Sequence, residues 1–255
     1  MSQNQNILPA NAIFLHSLNI NEADKTVYAL SEKYGFVEIF AKGARKPKAK
    51  FQNLLESGYL SEIKYIKSHR NILTDVVPRN APWDRLFTSM EGLSLLSYLC
   101  EVSIHAAKQH HDNELTNEEF FSFVSNYLTT LSQNIDSPFN TLLDFDINIM
   151  QIMGYRPDFE PCEDHGYNYL AGFSLDEARC LCGRCDDIYG AEHCIAMDAA
   201  EMDVINGLIK HNLNKEIDKE MFFQIHSLLI AYIEFQGYFR VKSNKVLYEA
   251  YGIGG

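Results

Sequence analysis

Two hydrophobic patterns divide the chain. Between residues 11 and 77, apolar positions fall in short runs rich in β-branched and aromatic side chains, separated by turn signals. They predict strands at Ala12 to Leu18, Thr26 to Leu30, Phe36 to Phe40, Tyr59 to Lys67 and Ile72 to Val76. Tyr34-Gly35 marks the turn between the second and third strands, and Lys42 to Lys50 begins a longer crossing. Five strands in so short a stretch have the size of a small barrel, and pattern alone also allows a small antiparallel sheet. After Pro78 and Pro82 the apolar step changes to three and four. Leu86, Met90, Leu93, Leu96, Cys100 and Ile104 predict a helix that buries one stripe, with Cys100 as a packing residue. A second helix is predicted at Asn117 to Gln133, capped by Thr116, with Phe120, Val124, Tyr127, Leu128 and Leu131 inward. A third runs from Phe139 to Met153 and stops at Gly154, with Pro157 just beyond. Two more follow, Glu201 to Leu213 with a cap at Asp198, and Lys219 to Phe235. The expected class is α+β, with a five-stranded barrel over residues 1–80 and an all-α domain over 81–255, within which residues 156–195 break the helical pattern.

Composition adds limits. The chain has 255 residues, 46% of them hydrophobic and 22% charged, enough for one large domain or two modest ones with full cores. No apolar run reaches the length of a membrane span, and Met1-Ser2-Gln3-Asn4-Gln5-Asn6 lacks the basic start and apolar centre of a secretion signal. The expected location is the cytoplasm, with no membrane partner. Five of the six cysteines crowd between Cys162 and Cys194, which suits a metal in a reducing compartment better than a disulfide framework.

Charge is distributed unevenly. The formal net charge is -12, yet residues 1–70 hold ten Lys/Arg against six Asp/Glu, a balance of +4, leaving twelve against twenty-eight, or -16, for residues 71–255. Ala41-Lys42-Gly43-Ala44-Arg45-Lys46-Pro47-Lys48-Ala49-Lys50 concentrates five cations without an acid, on a loop that Gly43 and Pro47 favour. Lys42, Arg45, Lys46, Lys48 and Lys50 are the candidate phosphate contacts, because phosphate binding follows the local field and counterion release rather than total charge. Barrels of the OB type add stacking aromatics, which raises the question for Phe36, Phe40, Phe51, Tyr59 and Tyr65, most of them expected in the core. Arg240, Lys242 and Lys245 form a second small basic patch. His105, His110 and His111 are expected as a solvated cluster at the end of the first helix. No nucleophile stands with a base, so no enzyme is expected.

Cys162-Glu163-Asp164-His165 and Cys182-Gly183-Arg184-Cys185 each place two metal-ligand residues three apart, with 16 residues between the pairs. Two such turns can close a tetrahedral zinc site, and four protein ligands would make it structural. Cys180, His193 and Cys194 permit other sets of four.

The order of elements resembles the bacterial recombination and repair family RecO along nearly the whole chain. The resemblance rests on Asn21-Glu22-Ala23-Asp24-Lys25 after the first strand, Tyr34-Gly35-Phe36, Ala41 to Lys46, Leu143 to Gly154 with Tyr155-Arg156-Pro157, the paired ligands, and Val241-Lys242-Ser243. It implies an N-terminal OB fold, a helical domain and a zinc-binding insertion at Cys162, His165, Cys182 and Cys185. It also implies binding of single- and double-stranded DNA, annealing of complementary strands, and action with RecR to help RecA load on DNA coated by the single-strand-binding protein SSB, without catalysis and close to the nucleoid. Members with the metal usually have Cys in the last position of the first pair, where this chain has His165. The acidic second half points to the first domain as the main DNA contact. Two other classes compete with this reading. One is a scaffold whose acidic helical domain binds a protein, and the other is a metalloenzyme with an open coordination position.

Overall fold

We describe residues 7–51, 53–109, 115–155, 157–186, 192–213 and 215–253 of a computed structural model. All five predicted strands are present, as β1 (Ile7–Asn19), β2 (Lys25–Ser31), β3 (Gly35–Ala41), β4 (Leu60–Ile66) and β5 (Asn71–Pro78). They close in the order β1-β2-β3-β5-β4, with β4 returning to β1 and a short parallel pairing of β3 with β5. This is a Greek-key barrel of the OB type. Alternation explains the inside: Val27, Ala29, Val37, Ile39 and Ala41 point inward with Ala12, Phe14, Ile63, Leu73 and Val76, while Glu38 between its buried neighbours is exposed.

By its packing the chain divides into two units. The first comprises Met1–Ile135 and Ser243–Ala250, so that α1 (Met90–Gln109), α2 (Asn117–Gln133) and most of α6 (Ser243–Tyr251) belong with the barrel. Helices α1 and α2 pack over β1, β2 and β3, which accounts for the burial of Ile13, Leu15 and Leu30 outside the barrel's interior cluster. Gly58 permits close approach of α1. Its backbone is left-handed at φ +85, and an added Cβ would lie 2.6 Å from the Leu96 side chain. Its carbonyl accepts a hydrogen bond from Trp83 Nε1 at 2.9 Å. The phase of α1 differs from expectation. Leu86 lies in a separate 3-10 turn, Asp84–Phe87, and Met90 and Leu93 are 64% and 43% exposed, whereas Leu95, Leu99, Val102 and Ala106 join Leu96 and Cys100 in the core. Burial pushes the Cys100 thiol up to about 12, as expected of a packing residue. Helix α2 has its predicted bounds and a reciprocal cap, with Thr116 Oγ1 accepting from Glu119 N at 3.2 Å and Glu119 Oε2 accepting from Thr116 N at 2.7 Å. Helix α6 was not expected, because this end of the chain carries the basic patch instead of an apolar stripe. Its Ser243 donates from N and Oγ to Glu101 Oε2 at 2.8 and 2.5 Å.

The second unit comprises Asp136–Lys242 and Tyr251–Gly255. It contains α3 (Phe139–Ile152), α4 (Ala199–Ile209), α5 (Lys219–Gly237) and a small sheet in the order β7-β6-β8, from β6 (Leu170–Ser174), β7 (Arg179–Cys182) and β8 (Cys194–Ile195). Asp198 caps α4, accepting from the N–H groups of Ala200 and Glu201. The helix stops short of the expected Leu213 because His211 turns left-handed and the chain folds back, the Leu213 N–H reaching the Gly207 carbonyl at 3.1 Å. Phe173 of β6 joins the sheet to this core, stacked on Phe159 and edge-on to Tyr232. Between α3 and α5, His226 Nε2 and Asp146 Oδ2 face each other at 3.4 Å, both wholly buried, and burial lowers the imidazole pKa to about 3. Among the described residues, no helix is long and apolar enough to cross a membrane.

Candidate functional sites: a cationic loop and a Cys/His knuckle

The cationic loop leaves the end of β3 and is fastened at once to the turn between β1 and β2. Gly43 takes a left-handed backbone at φ +70 and donates its N–H to Asp24 Oδ1 at 2.7 Å. Arg45 N donates to the Ala23 carbonyl at 2.9 Å, and its guanidinium donates to the carbonyl of Asn21. The Gly43 N–H holds the Asp24 carboxyl below its usual range, helped by the Asn21 amide and by the charges of Lys42 and Lys46. Further along, the Lys50 ammonium donates to the Thr74 carbonyl at 2.7 Å and pairs with Asp75 at 3.0 Å. The five predicted cations are all exposed, but they are not equivalent. Arg45 and Lys50 are tied to the barrel, while the ammonium groups of Lys42, Lys46 and Lys48 reach no hydrogen-bond or ion-pair partner among the described residues. Lys48 also adopts φ 62, an uncommon backbone for a side-chain-bearing residue.

The aromatics divide as the core expectation implies. Phe51 and Tyr65 are buried inside the barrel, and Tyr59 is half-buried edge-on to Phe87. Phe36 and Phe40 flank Glu38 on the outward side of β3. Phe36 lies parallel to Tyr28, which lies parallel to His16, at centroid distances of 5.9 and 6.5 Å, and the Arg70 guanidinium sits 3.6 Å above the Phe40 ring. The turn that anchors the loop was not foreseen as part of this site. Its signal was the Asn21-Glu22-Ala23-Asp24 segment, in which Asn21 Oδ1 accepts from both Ala23 N and Asp24 N at 2.8 Å. Of the remaining predicted charges, Arg240 pairs with Glu234, and His105 is half-buried with its pKa lowered by burial. His110, His111 and Arg156 lie outside the described residues.

The second site gathers Cys162, His165, Cys182 and Cys185, whose ligand atoms all lie within 4.8 Å of one another. Two backbone turns present them. Gly166 N donates to the Cys162 carbonyl at 2.8 Å, and the N–H groups of Cys185 and Asp186 donate to the Cys182 carbonyl at 3.2 and 3.0 Å. Asp186 braces the second turn, accepting from Cys182 N at 2.7 Å while a two-pronged pair with Arg179 holds it in place. Its pKa is lowered by the Arg179 guanidinium first and by the Cys182 N–H second. His165 Nδ1 stands 3.7 Å from Cys162 Sγ, 3.6 Å from Cys182 Sγ and 3.3 Å from Cys185 Sγ, and Cys162 and Cys185 are 3.8 Å apart. The thiols are electrostatically unequal. The backbone N–H of Arg184 holds Cys182 below its ordinary value, whereas sharing a hydrogen bond with Cys162 pushes Cys185 up to about 12. Four convergent donors of this type could hold a metal ion. The rival ligands are directed elsewhere: Cys180 is buried opposite Phe173 in the ladder, Cys194 Sγ leans on the Ile195 carbonyl, and His193 pairs with Asp176.

A closed OB-type barrel with a cationic loop, followed by helices and a four-donor knuckle, defines a barrel-and-helix protein with a candidate metal centre. The family model for "Recombination protein O N terminal" matches residues 6–74, and that for "Recombination protein O C terminal" matches residues 88–245. The chain belongs to the RecO family of DNA repair proteins. It is 27% identical to the DNA repair protein RecO of Thermodesulfovibrio yellowstonii over 210 residues, 81% of this chain and 78% of that protein. It is 25% identical to the DNA repair protein RecO of Clostridium kluyveri over 246 residues, 92% and 90% of the two chains.

Proposed function

We propose that this chain is a non-enzymatic mediator of recombinational repair in the cytoplasm, near the nucleoid. It binds single- and double-stranded DNA, anneals complementary strands, and together with RecR helps RecA load on SSB-coated DNA. The barrel domain, residues 1–80, is the main DNA contact, and residues 81–255 form the helical domain. Lys42, Arg45, Lys46, Lys48 and Lys50 hold phosphates while outward aromatics accept bases. Two strands are thereby kept close with part of their repulsion neutralised, and no bond-making residue is needed. The observation that carries this reading is the trio of ammonium groups on Lys42, Lys46 and Lys48, exposed and, among the described residues, unpaired on a loop whose backbone is held by hydrogen bonds. Cations so placed lose little conformational freedom of the main chain on meeting a polyanion.

Zinc is the proposed occupant of the knuckle. Zinc–sulfur and zinc–nitrogen distances of about 2.3 and 2.0–2.1 Å give tetrahedral edges of about 3.8 Å between sulfurs and about 3.6 Å from sulfur to nitrogen. The 3.8 Å Cys162–Cys185 separation and the 3.3 to 3.7 Å His165 separations match them. With Cys162, His165, Cys182 and Cys185 all bound, no position remains for water, so the ion would supply cross-linking rather than chemistry.

The test is annealing of complementary strands coated with SSB, with and without the protein. Acceleration is expected, and it is expected to be lost on changing Arg45 and Lys46 together to Glu. That double variant should weaken binding to all sequences alike and flatten its salt dependence, because phosphate contacts carry no base information. Unchanged affinity and salt slope would overturn the assignment of the loop.

A further inference from the structure

The β1–β2 turn carries a feature that phosphate binding does not require. Leu18, near the end of β1, and Ile20, the first residue of the turn, are 40% and 50% exposed, and turn chemistry favours polar residues at the second position. A single exposed Leu would mean nothing. These two, however, sit on a braced support. Ile20 N donates to the Asp24 carbonyl at 3.1 Å, Asn21 Oδ1 takes the N–H groups of Ala23 and Asp24, and Asn21 Nδ2 donates to Asp24 Oδ2 at 2.9 Å. The same turn is the anchor of the cationic loop, through the Arg45 guanidinium on the Asn21 carbonyl, Arg45 N on the Ala23 carbonyl and Gly43 N on Asp24. Apolar tip and cations are therefore held in one fixed arrangement. Of the turn's two acids, Asp24 is taken up by Gly43 and Asn21, leaving Glu22 exposed.

We propose that Leu18 and Ile20 form a wedge that inserts against the face of a DNA base and unstacks it, while Lys42 and Lys46 hold the adjoining phosphates. The site thereby favours the junction between paired and unpaired DNA. This rests on the DNA reading of the loop and names the substrate form it prefers. The cations select a polyanion as occupant, and among polyanions only one with accessible apolar faces gives the two aliphatic side chains a partner. Sugar, phosphate and groove edges of an intact duplex are polar, but base faces become available where stacking ends, and aliphatic wedges beside phosphate-binding groups unstack base steps in this way. The exposed side of β1 continues from Leu18 to His16, which opens the parallel row His16, Tyr28 and Phe36. His16 is the exposed member of that row and offers the displaced strand a place to stack.

The experiment uses the full chain and a forked duplex with 2-aminopurine at the fork, compared with a fully paired duplex of equal phosphate number. The unaltered protein should raise 2-aminopurine fluorescence and prefer the fork by about tenfold, the scale of one stacked base. Leu18→Ser with Ile20→Ser should abolish the rise and the preference, yet leave duplex binding, its salt slope and the thermal unfolding temperature unchanged, since both side chains are at the surface. Ile20→Val should retain the rise. Equal fluorescence with and without the two Ser substitutions, or no preference for the fork in the unaltered protein, would overturn the wedge alone. If neither DNA is bound, the reading of the loop fails and the wedge goes with it.

Discussion

The cationic loop and the Cys/His knuckle are both turns fastened by main-chain hydrogen bonds, yet they leave their side chains in opposite conditions. In the loop the backbone is held by Asp24, Ala23 and Asn21, and three ammonium groups are exposed without partners among the described residues. In the knuckle the backbone turns aim four donor atoms at one point, within 4.8 Å of one another. Unpaired like charges suit a ligand that is itself a line of charge, with little regard for its sequence and much sensitivity to salt. Convergent donors suit a single ion, chosen by distance and ligand type and insensitive to screening. The lesson is that a fixed main chain decides where chemistry occurs, and the direction of the side chains decides whether the ligand is extended or a point.

The largest expected effect lies at the knuckle. Cys182→Ser should reduce metal content from about one ion per chain to none by elemental analysis. Hydrogen exchange should show lost protection around Tyr167 to Asp186, with the barrel unaffected. Retention of a full equivalent would break the convergent-donor picture. Next is the loop, where Lys42, Lys46 and Lys48 changed together to Gln should lower the log–log salt slope of duplex binding by about 2 to 3, with metal content unchanged. Lys50→Gln alone should do much less, because that ammonium is engaged by Thr74 and Asp75. An equal loss from Lys50→Gln would erase the distinction between free and tied cations.

A smaller effect separates the two units by acid sensitivity. Below about pH 6.5 an unfolded His accepts a proton, whereas buried His226 resists one until about pH 3. The unfolded state then binds more protons, so the second unit loses stability as pH falls through that window, by up to ~1.4 kcal/mol per pH unit. His226→Phe should flatten the dependence in acid unfolding curves. Smallest is Thr116→Ala, which should destabilise the first unit by about 1 kcal/mol in denaturant titration through loss of the α2 cap, with no change at the knuckle.

Much of this was legible where a pattern repeats for long enough. The barrel strands announce themselves by β-branched runs, and α2 by its cap and stripe. Helix α1 misleads because Met90 and Leu93 are apolar but exposed, so periodicity alone puts the helix in the wrong phase. The sheet of β6, β7 and β8 leaves no clear pattern in the sequence because its strands have only five, four and two residues. The four ligands stood out by spacing, but discarding Cys180 and Cys194 needed the ladder that buries one and turns the other aside. The cations stood out by charge. Which of them are free depends on carbonyl oxygens at Asn21 and Thr74, and a backbone acceptor leaves no mark on a pattern of side chains.

Helix α6 has a consequence for synthesis. Ser243–Ala250 belong to the unit that begins at the other end of the chain, and Ser243 supplies both donors to Glu101 on α1. More than a hundred residues of the second unit must therefore leave the ribosome before the first can be completed. The half translated first is thus finished only near the far end of the chain, and a nascent chain stalled before residue 243 would carry a barrel still waiting for its final helix.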